Sequence, residues 1–202
     1  MGRRLIYIPI IHTEVDMGSL AASLKKEYIQ KYGIDKWNHH LKKIDDLWIG
    51  IKERLNQKHL CYSLVKVYQD GLPVCGKELQ IVQDIAKMGG KNHQLALNLV
   101  HQGATLVGTE DPALLIKEYQ LIKSATSGKR TEDNPNKRHN YIAERDAFIV
   151  RQIDRTLKDG ETGILFLGML HRVDEMLPTD IAVEYLIYHL PFKETLEKKL
   201  KL

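Results

Sequence analysis

Two stretches of this chain are apolar over the full length of a strand, and both stop on a histidine. Leu5-Ile6-Tyr7-Ile8-Pro9-Ile10-Ile11 is followed by His12, and Gly163-Ile164-Leu165-Phe166-Leu167-Gly168 leads through Met169-Leu170 to His171 and Arg172. A short continuous apolar run bounded by turn residues predicts a strand buried on both faces, the pattern of a parallel sheet covered by helices. Pro9 removes a ladder donor from the first strand, so it is expected at a bulge or at the strand's frayed end.

Between these runs the period changes. Residues 20–57 follow a helical pattern broken at Tyr32-Gly33-Ile34. In its second half Trp37, Leu41, Ile44, Leu47, Trp48 and Ile51 recur at three- and four-residue spacings, one face of an amphipathic helix. Residues 61–68 alternate and are rich in β-branched and aromatic side chains, which predicts a strand ended by the turn chemistry of Gln69-Asp70-Gly71-Leu72-Pro73. A helix over 77–102 interrupted at Gly89-Gly90, a short strand over 103–108 and a helix over 113–124 with Pro112 in its first turn come next. Residues 124–140 are the most polar stretch and predict a flexible loop. A helix over 141–157 points Ile142, Phe148, Ile149, Ile153 and Leu157 inward and closes at Gly160. The second apolar run is then the fourth strand, 181–190 a fifth, and 193–202 a charged helix. Strand and helix alternate, so the expected class is α/β. One domain over 1–202 is expected, with a mostly parallel sheet of about five strands flanked by helices and the polar loop at about 124–140.

Composition narrows the function classes. In 202 residues, 43% hydrophobic and 28% charged content suit a globular domain with a full core. A net charge of +4 carries no strong nucleic-acid signal. The N-terminal apolar run is too short for a signal peptide or a membrane span, and two cysteines make no disulfide framework, so a cytoplasmic protein is expected.

The chemistry gathers where strands end. His12 and Glu14 follow the first strand, Asp70 the second, Glu110 and Asp111 the third, and Gly168 and His171 the fourth. In open parallel sheets ligands bind beyond the carboxyl ends of the strands. Two histidines with several carboxylates there make the composition of a divalent-metal site or a general acid–base pair. Taken singly, each of these residues is equally at home as a helix cap or a loop residue.

Gly168-Met169-Leu170-His171 is a G-x-x-H at a strand end, and Ala143-Glu144-Arg145-Asp146 lies on the helix before it. This order resembles the TraB/PrgY, Tiki and erythromycin-esterase/ChaN-like superfamily. Its members carry a first G-x-x-H after the first strand, an acidic residue after the second, and a glutamate-arginine pair on a helix before a second G-x-x-H. Here His12 matches the first histidine with Pro9 in place of the glycine, and Asp70 stands where the family has glutamate.

The resemblance implies a hydrolase acting on a small molecule or a peptide. In a metal-dependent, peptidase-like form, His12, Glu14, Glu110 and His171 would hold a divalent transition metal. In an esterase-like form a histidine would activate water, with Arg145 steadying an oxyanion or a substrate carboxylate. His12, His171, Glu144 and Arg145 would be catalytic, and Asp70, Asp111, Gly168 and Arg172 would line the pocket. Arg145 is equally readable as a structural partner of Glu144 or Asp146. The alternatives in other classes are a non-catalytic haem- or metal-binding protein and a regulatory interaction module.

Overall fold

The computed structural model describes residues 2–10, 21–126 and 135–186. It contains one five-stranded sheet in which every pairing is parallel, in the order β3-β2-β4-β1-β5. The strands are β1 (Arg3–Ile10), β2 (Val65–Gln69), β3 (Thr105–Val107), β4 (Thr162–Gly168) and β5 (Ile181–Tyr185). The helices are α1 (Ala21–Tyr32), α2 (Ile34–Asn56), α3 (Glu78–Lys87), α4 (Lys91–His101), α5 (Pro112–Thr126) and α6 (Pro135–Thr156). The fold is α/β, and all five carboxyl ends lie along one edge.

Alternation along the strands sorts the core into two layers. Ile6, Ile8, Ile10, Val67, Ile164 and Phe166 pack on one face against Ile44, Leu47, Trp48 and Ile51 of α2 and against Val82, Leu95 and Leu99 of α3 and α4. Leu5, Tyr7, Tyr68, Leu165 and Leu167 pack on the other against Ile149 and Ile153 of α6, with Leu157 and Val173. The two uninterrupted apolar runs are β1 and β4, the sheet's centre, where both faces need apolar cover.

Pro9 fits inside β1 for a specific reason. The Tyr7 carbonyl accepts the Leu186 amide, so odd residues of β1 turn their backbone groups toward β5. The β1–β5 register ends at Tyr7 opposite Tyr185, so Pro9 lies past the last paired residue on that side.

Several boundaries differ from the expected ones. The second strand begins at Val65, not at residue 61, because Tyr62–Leu64 is a 3-10 turn and Leu64 is exposed. Its ladder partner β4 starts only at Thr162, opposite Val65, so earlier residues have no strand to pair with on that side. Helix α6 begins at Pro135, whose fixed φ suits a helix's first position, and α5 runs to Thr126. Residues 124–126 and 135–140 of the expected polar loop are thus helix, and its remaining residues, 127–134, lie outside the described ones. Strand β4 ends at Gly168, and the chain turns there with the His171 amide donating to the Gly168 carbonyl at 3.2 Å. Strand β5 is described to Tyr185, and the expected helix over 193–202 lies outside the described residues. Among the described residues, no helix is long and apolar enough to cross a membrane.

Candidate active site at the carboxyl edge of the sheet

Helix α6 precedes β4 and lays its inward stripe on the sheet. Four residues before Ile149 that stripe is occupied by Arg145, and three before it by Asp146, both buried, while Glu144 beside them is exposed. A helix that turns two charged side chains into the core must supply partners for them, since an unpaired buried charge is costly. The strand ends supply those partners.

Arg145 is held by three carboxylates. Its Nε donates to Glu110 Oε2 at 2.5 Å, and its Nη2 donates to Glu110 Oε1 at 2.5 Å and to Asp70 Oδ1 at 2.8 Å. Its Nη1 donates to Glu118 Oε2 of α5 at 2.9 Å. The fork geometry of guanidinium on carboxylate makes this a directional clamp, not a loose ion pair. It joins α6 to the ends of β2 and β3 and to α5. Backbone amides complete the two buried carboxylates: Gly71 donates to Glu110 Oε1 at 2.8 Å and Gly168 to Asp70 Oδ2 at 2.9 Å.

The loops that present these carboxylates are laced together. Gly71 takes the left-handed backbone (φ 71°) that lets the chain reverse after β2, closed by the Leu72 amide on the Gln69 carbonyl. The Thr109 and Glu110 amides then both donate to the Leu72 carbonyl, and the Thr109 hydroxyl accepts the Gln69 amide.

Asp146 holds the other side of the site. Its Oδ1 lies 2.5 Å from His171 Nδ1, and its Oδ2 accepts the Arg172 amide at 2.9 Å. An ionised carboxylate only accepts, so Nδ1 carries a proton, and in the neutral ring Nε2 keeps its lone pair. Among the described residues Nε2 has no partner. Burial lowers the basicity of His171, but the Asp146 hydrogen bond and the charge of Asp70 outweigh it, so its pKa lies above the ordinary histidine value. Burial opposes the charge on Arg145 too, and Glu110, Asp70 and Glu118 outweigh it, holding the guanidinium further above its usual range. For Glu110, burial pushes the carboxyl up while Arg145 pulls it down. With a charged guanidinium bonded to both its oxygens, the carboxylate is ionised within the pair.

The structure therefore brings Asp70, Glu110, Arg145, Gly168 and His171 to one edge, as their positions at strand ends and on the preceding helix suggested. It places other candidates differently. Asp111 Oδ1 accepts the Ala113 amide at 2.7 Å and caps α5. Arg172 contributes its backbone amide to Asp146, while its side chain is exposed. Arg145 pairs with Asp70, Glu110 and Glu118, not with Glu144 or Asp146. His12 and Glu14 lie outside the described residues. Asp146 and Glu118 enter the site without having been singled out. The signal for Asp146 was a charge on the inward stripe of α6, whereas Glu118 offered none.

Among the described residues, no three His, Cys, Asp or Glu side chains are grouped to hold a metal ion. The Glu110 and Asp70 oxygens already face the protein's own guanidinium, whose charge would repel a dication. Of the expected ligands in the described part, His171 Nε2 alone remains available as a donor.

No family model matches the chain, and neither a curated protein nor a solved structure does.

Proposed function

We propose that the chain is a hydrolase of the TraB/Tiki/erythromycin-esterase type that works by a histidine base and cleaves an ester. The observation that carries this is the His171–Asp146 pair at the carboxyl edge of a parallel sheet, with Nδ1 fixed by a carboxylate and Nε2 left for a proton. In this reading His171 Nε2 takes a proton from water, and Asp146 holds the ring's tautomer and steadies the imidazolium that forms. Because Asp146 raises its pKa, His171 becomes a neutral base at a higher pH than an ordinary histidine does. Arg145 acts differently from the oxyanion donor first expected. Four of its five N–H groups are engaged by carboxylates, so its part is to fix the strand ends. Glu144 and Asp111 have no part in the chemistry. A cytoplasmic location belongs to the same proposal and is supported by two exposed, unpaired cysteines, Cys61 and Cys75.

The test is hydrolysis of p-nitrophenyl esters and a peptide panel by wild type, His171→Ala and Asp146→Asn, each with and without EDTA. Ester turnover that survives EDTA and falls in both variants supports the reading. Loss on chelation would move it to the metal-dependent, peptidase-like form. Saturable metal or haem binding without turnover would make the chain a non-catalytic binding protein.

A further inference from the structure

Among the described residues, the buried side-chain polar atoms that lack a hydrogen-bond partner are Trp37 Nε1, Trp48 Nε1 and both ends of the Gln69 side-chain amide. Buried polar groups are almost always paired, so each exception asks for a reason. Three of these four atoms flank one aromatic ring. Gln69 is the last residue of β2 and stands opposite Phe166 of β4 in the ladder. Phe166 and Val67, two residues before Gln69, both face the layer of α2, α3 and α4, so Gln69 faces it too. Trp48 of α2 packs on Phe166 from that layer, with ring centroids 6.3 Å apart and planes at 43°. Gln69 and Trp48 therefore meet Phe166 from two sides, one along the sheet and one across the layer. Asp70, the next residue, turns to the opposite face and binds Arg145.

The fold does not account for an amide at this position. Gln69 is 0% exposed and Trp48 6%. An apolar side chain of similar shape would fill the place of Gln69 without leaving a donor and an acceptor unpaired, and would be neutral or stabilising there. The surroundings also leave a way in. The next residue of β4 on this face is Gly168, so β4 puts no side chain between Phe166 and the carboxyl edge. Helix α2 reaches the core only from Ile44 onward, so Ile44, Leu47 and Trp48 are its first buried turn. A ligand that lifts this turn from the sheet reaches the Gln69 amide, Trp48 Nε1 and the Phe166 ring together. An aromatic lining with a few placed polar groups is the make-up of a small-molecule site.

The polar groups specify the ligand. The Gln69 amide presents a donor beside an acceptor, and neither is committed, so either end can face Trp48. Trp48 Nε1 adds a second donor and cannot accept. None of these groups is charged, which suits a neutral ligand. The complement of donor, acceptor and donor is a planar ring edge that reads carbonyl, N–H, carbonyl. We propose that Gln69 and Trp48 form a recognition site for a planar cyclic imide, the edge that a uracil ring presents, with the ring laid against Phe166. Gln69 Oε1 accepts the imide N–H, Gln69 Nε2 donates to one carbonyl and Trp48 Nε1 donates to the other. The site lies across the sheet from the His171–Asp146 pair and does not depend on the histidine-base reading.

The experiment titrates uracil, and uracil methylated on its imide nitrogen, into wild type, Gln69→Leu and Trp48→Phe by calorimetry up to the solubility limit, with the melting temperature of each protein. Wild type is expected to bind uracil, and to bind the methylated compound about tenfold or more weakly because the N–H is gone. Gln69→Leu is expected to weaken uracil by roughly 10–100-fold, the loss of two hydrogen bonds, while melting at or above the wild-type temperature because no amide is left unpaired. Trp48→Phe keeps an aromatic ring, removes the N–H, and is expected to weaken uracil by roughly 3–10-fold. The inference falls if wild type binds no uracil, if the methylated compound binds as tightly as uracil, or if either variant binds uracil as tightly as wild type. It falls as well if Gln69→Leu melts below wild type or does not fold, since the amide would then be part of what holds the fold together.

Discussion

Replacing Arg145 with methionine keeps most of the side-chain volume and removes the charge. It takes the guanidinium away from Asp70 and Glu110, whose side chains are 5% and 1% exposed. Breaking a buried pair by removing one partner costs about 3–5 kcal/mol, because the remaining charge is uncompensated. Glu118 is about one-third exposed and contributes little to that figure, since solvent screens it. For a chain of this size each kcal/mol lowers the melting temperature by about 2–4 °C, so Arg145→Met should melt roughly 6–20 °C below wild type at neutral pH. The pH dependence gives the stricter check. Without the guanidinium, nothing from Arg145 opposes the burial that pushes the Glu110 carboxyl up, so the folded variant binds more protons and gains stability as pH falls. The gap between variant and wild type should therefore narrow between pH 7.5 and pH 5, measured by urea or thermal melts at each pH. Arg145→Lys, which keeps a charge but cannot grip Glu110 with two donors, should fall between the two. A loss below about 1 kcal/mol at neutral pH, the level of an exposed ion pair, would refute the clamp, and so would a gap indifferent to pH.

Asp146→Asn should lower ester turnover by roughly 10²–10⁴, because the ring loses its tautomer and orientation, and should move the pH limb of kcat/KM downward as the raised His171 pKa relaxes. The same variant has a stability signature. His171 is raised in the folded state, so the Asp146 pair stabilises fully below the unfolded histidine value and loses that contribution as pH rises through the folded one. Urea melts should then show a larger deficit at pH 6 than at pH 9. Gly108→Ala should destabilise by about 1–3 kcal/mol, because a Cβ there would meet the Val74 Cα at 2.9 Å and the Pro73 carbonyl oxygen at 3.1 Å, and backbone atoms cannot rotate away. Calorimetry on that variant, beside its ester turnover, would show whether strain in the 73–74 segment reaches Glu110 two residues on.

The fold was legible where burial is two-sided. An apolar run such as Ile164 to Leu167 has one interpretation once turn residues bracket it, and β1 and β4 followed from their own residues. Helix α6 was legible only from Tyr141, because residues 135–140 have no apolar stripe and their helicity rests on Pro135 and on continuity with the buried part. The edge that carries the site was legible too, since an all-parallel sheet puts every carboxyl end on one side. Which groups meet there was not. That Asp70 meets Glu110 depends on β2 lying next to β3, and that Asp70 reaches Gly168 depends on β2 also lying next to β4. Strand order of this kind leaves no mark in composition or period. Glu110 and Asp111 illustrate the limit: adjacent carboxylates, one sealed under a guanidinium and the other capping a helix.

The consecutive Arg145 and Asp146 are best understood together. Arg145 binds Asp70, and Asp70 binds the Gly168 amide, where the His171 turn begins. Asp146 binds the His171 ring and the Arg172 amide, where that turn ends. One helix position thus fixes the start of the turn through a strand end, and the next fixes its finish directly. Between these anchors Met169 and Leu170 are exposed and make no contribution to the core, so packing does not hold the turn. A loop that carries a base must be rigid to within a fraction of an ångström to be useful, and here hydrogen bonds to two buried carboxylates supply what the missing apolar contacts do not. The same logic explains why a charged pair is tolerated in the core stripe of α6: its desolvation is offset by strand-end partners, and the position it secures is that of His171.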